Sequence, residues 1–234
     1  MRQIVLDTET TGLEAQNGDR ILEIACVELL NRRLTGNNRH YYINPERDSH
    51  EEALRIHGIT TEFLKDKPLF KDIAHDFINF IKDSELIIHN ASFDIGFLNK
   101  EFERLGLPSI QKMGIPVIDS LILARTSFPG KKNSLDALCD RFEIDNSGRT
   151  LHGALLDSEL LAEVYICLTR GQHALLGEES SGNTSADPQQ TNHINLSTLT
   201  IPVITPSTEE LQQHQEIMQA IAKTSGNQLI WEDI

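Results

Sequence analysis

The chain has 234 residues, a mass of 26.3 kDa and a formal net charge of −14, from 21 Lys and Arg against 35 Asp and Glu. That length allows one well-filled core with an appendage, and no apolar run reaches the ~18 residues a membrane helix needs. The acidic excess argues against a protein that captures nucleic acid by its own field, but leaves open chemistry on nucleic acid at a site that holds cations.

Met1 to Asp7 runs directly into a strand-like stretch, Ile4-Val5-Leu6-Asp7, with no signal-peptide h-region or cleavage site. Secretion is therefore not expected. Cys26, Cys139 and Cys167 are far apart in apolar contexts, and suit neither a disulfide framework nor a metal-binding pair. A reduced, cytoplasmic protein is the expectation.

The first strand enters a turn at Thr11-Gly12. A second apolar run spans Ile21 to Leu30, and a third strand, rich in Tyr, spans His40 to Ile43. Apolar residues at 70, 73, 74, 77, 78 and 81 predict a helix over 69–82. Leu86-Ile87-Ile88 reads as a short buried strand. The helix after it takes Asn90 as N-cap, with Phe93, Phe97, Leu98 and Leu105 on its apolar side. Val117-Ile118-Asp119 is another strand, and Ser134–Phe142 and Ala154–Leu168 read as helices. Short strands alternating with such helices predict an α/β domain with a central mixed β-sheet flanked by helices.

Composition changes near residue 171. Beyond it there is one basic residue, Lys223, against eight acidic ones. Residues 177–193 hold no apolar side chain larger than Ala and predict a flexible linker. The expected division is a domain over 1–171, a linker over 172–197 and a C-terminal segment over 198–234. In that segment Leu199 to Ile204 is strand-like, and Ser207-Thr208-Glu209-Glu210 is a capping box. It opens a helix carrying Leu211, His214, Ile217, Met218 and Ile221. A lone strand and helix cannot make a stable domain, so this tethered segment is expected to dock on a partner.

The residues that carry chemistry cluster at element ends. Asp7 and Glu9 sit two apart at the end of the first strand, so both carboxylates point to one face. Two like charges that close are costly unless cations lie between them. Asp94 falls in the first turn of a helix, just past another strand's carboxyl end. Residues five apart on one helix do not face one site, so His152 and Asp157 converge only if His152 sits in the loop before the helix, a loop that Gly153 frees. Four carboxylates and a His suit two Mg²⁺ or Mn²⁺ ions, with the His free to take a proton. The natural reaction of such a set is phosphodiester hydrolysis.

Three segments carry a resemblance: Val5-Leu6-Asp7-Thr8-Glu9-Thr10-Thr11-Gly12, His89-Asn90-Ala91-Ser92-Phe93-Asp94 and His152-Gly153-Ala154-Leu155-Leu156-Asp157. They resemble the three motifs of the DnaQ-like 3′→5′ exonucleases of DEDDh type. Asn31 to Asn38, Phe128 to Cys139 and Glu143 to Ser147 are similar to the proofreading branch of that family, and the likeness covers about residues 2–171. It implies a ribonuclease H-like fold, Asp7, Glu9, Asp94 and Asp157 as ligands of two divalent cations, and His152 as general base. It also implies contacts from Thr8, Thr10, Glu52 and His57 to the terminal nucleotide. The sister branch uses a Tyr one place after the His, where this chain has Gly153.

The resemblance further implies DNA 3′ ends as substrate and docking of 198–234 on a polymerase alpha subunit; the expected contact is the helix stripe of Leu211, Ile217, Met218 and Ile221, with Trp231 as an aromatic anchor. Gln172-His173-Ala174-Leu175-Leu176 resembles a sliding-clamp-binding peptide, although it has no aromatic residue. A small theta-like subunit is a further partner of the branch. The motifs alone leave open a stand-alone exoribonuclease with the same metal chemistry, or a catalytically silent polymerase scaffold.

Overall fold

A computed structural model of the chain describes residues 1–149, 151–170 and 206–224. Its centre is β1 (Arg2–Thr10), which pairs antiparallel with β2 (Ile21–Leu30) and parallel with β5 (Glu85–Ile88). β6 (Val117–Asp119) extends the parallel side. β3 (Arg33–Leu34) and β4 (Arg39–Tyr42) lie along the far side of β2 and complete a mixed six-stranded sheet.

Strand periodicity of two decides which face each residue serves. Ile4 and Leu6 of β1, Ile24 and Cys26 of β2, and Leu86 and Ile88 of β5 enter one core. That core is closed by Phe70 and Phe77 of α3 (Phe70–Ile81) and Phe102 of α4 (Ala91–Arg104). Val5, Val27, Leu29 and Ile87 enter the opposite core. It is closed by α5 (Ser120–Ser127), α6 (Leu135–Phe142) and α7 (Ala154–Leu168). The sheet is thus buried on both faces, as a sheet with parallel strands requires. The three cysteines are free thiols.

Three helices have no counterpart in the sequence reading. They are α1 (Glu51–His57), α2 (Thr61–Leu64) and α5, which begins on the residue after β6 ends. Two details of α4 also differ. Asn90 occupies the N-cap position but in the left-handed region (φ 69°), and its side chain makes no cap. Asp119 supplies the cap instead, accepting from the backbone N–H groups of Asn90 and Ala91 at 3.3 and 3.0 Å. The same carboxylate accepts from Leu121 and Ile122 at the start of α5, so one side chain caps two helices. Leu105 is the C-cap of α4 and is exposed. The helix has ended there, so its side chain is off the apolar face.

The second compact unit contributes α8 (Thr208–Thr224). Its capping box forms: the Glu210 carboxylate accepts from Ser207 N–H at 2.8 Å, and Ser207 Oγ accepts from Glu210 N–H at 3.3 Å. Leu211, Ile217 and Ile221 on this helix are exposed. The expected linker, the Gln172–Leu176 peptide, the strand-like Leu199–Ile204 and Trp231 lie outside the described residues. Among the described residues, no helix is long and apolar enough to cross a membrane.

Candidate active site

The carboxyl end of β1 is the meeting point of both layers. Asp7 and Glu9 continue the row of Val5, toward α7. Thr8 continues the row of Ile4 and Leu6, toward α4, where its hydroxyl donates to Asp94 Oδ1 at 2.7 Å. Asp94 and Asp157 are each the fourth residue of their helix. Each is thereby held in a first turn that faces the end of β1. Asp7, Glu9, Asp94, His152 and Asp157 all line one cleft of about 840 Å³. One ligand atom each from Glu9, His152 and Asp157 lies within 4.8 Å of the other two.

The loop before α7 is pinned rather than free. His152 N–H donates to Ile56 O of α1 at 3.0 Å. Ala154 N–H, at the first turn of α7, donates to the buried Glu23 carboxylate at 3.1 Å. Glu23 in turn pairs with His40 at 2.6 Å and sits opposite Glu9 across the β1–β2 ladder. The Gly58 backbone and the Leu151 side chain are equally fitted: a Cβ added at Gly58 would come within 2.6 Å of Leu151 Cδ1. Helix α1, absent from the sequence reading, therefore fixes where His152 stands.

Crowded charge leaves its mark on the carboxylates. Burial, then Glu23, Asp157 and Asp94, push Glu9 up to about 8. Burial pushes Asp94 up to about 7, against the hydroxyl of Thr8, which favours the ionised form. Asp7 is raised well above the carboxylate range by loss of water and by Asp94, Glu9, Asp157 and Glu23. Groups held this way are stabilised by nearby positive charge.

The other residues expected at the site are placed as follows. Thr10 is buried and its hydroxyl donates to Gly12 O at 2.6 Å, closing the turn after β1. Glu52 is exposed on α1 and lines the cleft. His57 is buried at the end of α1, with Nδ1 accepting from Ile59 N–H at 2.9 Å. Its Nε2 has no hydrogen-bond partner although the residue lines the cleft. Such a buried, unmatched ring nitrogen is costly unless something arrives to satisfy it. Sequence reasoning missed Arg149, whose guanidinium lies against Asp157, and Asp136, its second partner. The only available signal was a cation three residues before His152 in an acidic chain.

The sequence model described as Exonuclease matches residues 4–165. The chain belongs to the exonuclease family. Within it, the chain is 52% identical over 229 residues to DNA polymerase III subunit epsilon of Rickettsia felis, covering 96% of this chain and 99% of that one. It is 48% identical over 242 residues to the subunit of the same name from Haemophilus influenzae, covering 99% and 94%. Among solved structures, Exonuclease X in complex with 5′ overhanging duplex DNA matches with a TM-score of 0.56 and 31% identity, covering 72% of this chain and 92% of that one. E. coli ExoI in its ssDNA complex, at 18% identity and a TM-score of 0.63 over 74% of this chain and 41% of that one, shares the fold. The exonuclease domain is thus the ribonuclease H-like, mixed-sheet domain expected from the sequence.

Proposed function

We propose that this chain is the proofreading 3′→5′ exonuclease of a bacterial replicative DNA polymerase, acting in the cytoplasm. The observation that carries the reading is one cleft that gathers four carboxylates and a His, in a chain about half identical over nearly its whole length to DNA polymerase III epsilon subunits. Asp7, Glu9, Asp94 and Asp157 would hold two Mg²⁺ or Mn²⁺ ions. The donor set fits: it is made of hard carboxylate oxygens, and the raised Glu9 and Asp94 mark negative charge that wants a cation. When bound, the ions supply Lewis acidity to the attacking water and to the leaving 3′-oxygen.

The chain's own residues do the rest. His152, half-exposed at the cleft mouth, takes the proton of the attacking water at a ring nitrogen. His57 carries its proton on Nε2, because Nδ1 accepts from Ile59, and offers that N–H to an oxygen of the terminal nucleotide. Thr8 holds Asp94, Thr10 closes the turn after β1, and these two residues and Glu52 line the cleft that takes the terminal nucleotide.

The segment 198–234 docks on the polymerase alpha subunit. The exposed apolar residues of α8 support this, since such side chains on a lone helix seek a covering surface. Gln172–Leu176 binds the sliding clamp, and a small theta-like subunit completes the assembly. A chain of net charge −14 holds DNA poorly by itself and gains by tethering, through effective concentration.

The test is Mg²⁺-dependent digestion of a 3′-mispaired primer–template by wild type and Asp7→Ala, beside matched DNA and an RNA oligomer. Fastest release from the mispaired DNA end, lost in Asp7→Ala, supports the reading. Faster trimming of RNA, or no cleavage by folded protein, refutes it.

A further inference from the structure

Arg149 occupies the site in a way none of the roles above explains. Its side chain is 8% exposed. Its Nε and Nη2 donate to the two oxygens of Asp157 at 2.5 and 2.7 Å, a bidentate pair. Nη2 also lies 3.2 Å from Nδ1 of His152, and Nη1 donates to Asp136 Oδ1 at 2.7 Å. A guanidinium cannot be deprotonated and only donates. It therefore covers both oxygens of one metal-ligand carboxylate and takes the lone pair of one ring nitrogen of the general base.

We infer that Arg149 is a latch: a resident counter-cation that closes the site, and whose release from Asp157 is coupled to the entry of divalent metal. This rests on the reading of Asp157 as a metal ligand. A bidentate guanidinium and a divalent ion compete for the same two oxygens. One movement of Arg149 frees Asp157 and His152 together, so ligand and base become available in the same step. Asp136, half-exposed, holds Nη1 on the other side, and gives the guanidinium an anchor that does not involve Asp157.

Competition makes a prediction whose sign a purely structural role would not produce. Loss of a positioning contact weakens metal binding, whereas loss of a competitor strengthens it. The experiment is calorimetric titration of the full-length, metal-stripped protein with Mn²⁺, in wild type, Arg149→Gln, Arg149→Lys and Arg47→Gln. Arg47 lines the same cleft but pairs with Asp19, so its variant removes an equal charge without touching Asp157. Arg149→Gln binds Mn²⁺ about tenfold or more tighter than wild type, since a unit charge against the metal position is removed. Arg149→Lys, which keeps the charge but loses the bidentate pair, lies between, and carries the test if Arg149→Gln does not fold. Arg47→Gln stays within about twofold of wild type, since its partly exposed guanidinium is paired with Asp19 and not with Asp157. Equal or weaker binding by both Arg149 variants, or the same gain in Arg47→Gln, overturns the latch while leaving the metal site intact. Absence of Mn²⁺ binding in every protein, wild type included, overturns the metal site and the latch with it.

Discussion

Without divalent metal, stability falls as pH rises above about 6.5. The cause is the raised carboxyls: Asp7 held well above the usual carboxylate range, Glu9 at about 8 against an ordinary 4.5, and Asp94 at about 7 against 3.8, all chiefly from burial. A group that holds its proton in the folded but not the unfolded chain subtracts stability as pH rises from the unfolded value to the folded one. Below about 6.5 two histidines oppose this. Burial depresses His57 and His89, so the unfolded chain binds their protons more readily and stability rises with pH up to their unfolded value. Asp19 and Glu28, held low by their hydrogen bonds against the upward push of burial, are ionised in both states by then and add no slope. The clean window is therefore about pH 6.5 to 8. Each pH unit costs ~1.4 kcal/mol per group, so Glu9 removes ~2 kcal/mol across the window, and Asp94 and Asp7 add to the fall. At ~2–4 °C per kcal/mol for a chain of this length, the melting temperature in EDTA falls by roughly 5–10 °C. Thermal melts in EDTA between pH 6.5 and 8 measure it. In saturating Mn²⁺ the fall disappears, and metal-free Glu9→Gln is more stable than wild type at pH 8. A metal-free melting temperature that is flat or rises over this window would refute the view that these carboxylates carry uncompensated charge.

Three further outcomes test the local arguments. His152→Ala lowers kcat by ~10²–10⁴, the usual worth of a positioned base, with Mn²⁺ affinity read by calorimetry changed far less than kcat. His57→Ala loses about tenfold in kcat/KM for a DNA 3′ end, because the donor at Nε2 is gone; an unchanged kcat/KM would show that Nε2 faces no substrate oxygen. Gly12→Ala destabilises the protein by ~1–3 kcal/mol in denaturant titration, since the added Cβ collides with the Asp19 carboxylate and the His50 ring.

The strands and long helices were legible where burial is regular. β1, β2 and β5 are packed on both faces and carry dense apolar stretches (Ile4–Leu6, Ile24–Val27, Leu86–Ile88), and α3 shows its stripe because one side meets the sheet. Helix α1 was not legible. Leu54 and Ile56 are exposed and only His57 is buried, so it carries no apolar stripe; one backbone hydrogen bond, His152 N–H to Ile56 O, ties it to the loop before α7. Helix α5 escaped because Asp119 ends β6 and caps α5 at once, leaving no loop to mark the change. The cap of α4 comes from 29 positions away, a distance no local rule reaches. Asp7, Glu9, Asp94, His152 and Asp157 were legible as candidates because each lies near an element's end, and the topology brings all five to one cleft. Arg149 has no such mark. Its importance comes from the placement of its guanidinium on Asp157, which spacing does not encode.

Magnitudes show why the site needs a cation. Asp94 and Asp157 stand at the same place in α4 and α7, where a helix N-terminus favours negative charge by ~0.3–1 kcal/mol each. Against this, the displacement of Glu9 alone, from 4.5 to about 8, is worth ~5 kcal/mol. Helix dipoles therefore cannot hold four ionised carboxylates together. The cores on both faces of the sheet fix the ends of β1, α4 and α7 regardless of that cost, which is how a fold keeps a site that its own electrostatics disfavour. The missing compensation comes from whatever cation binds the folded state, and binding to the folded state alone stabilises it. Arg149 supplies one such charge from within the chain, paired with both oxygens of Asp157. Divalent ions supply more. The competition between them follows from the same repulsion that makes the site reactive.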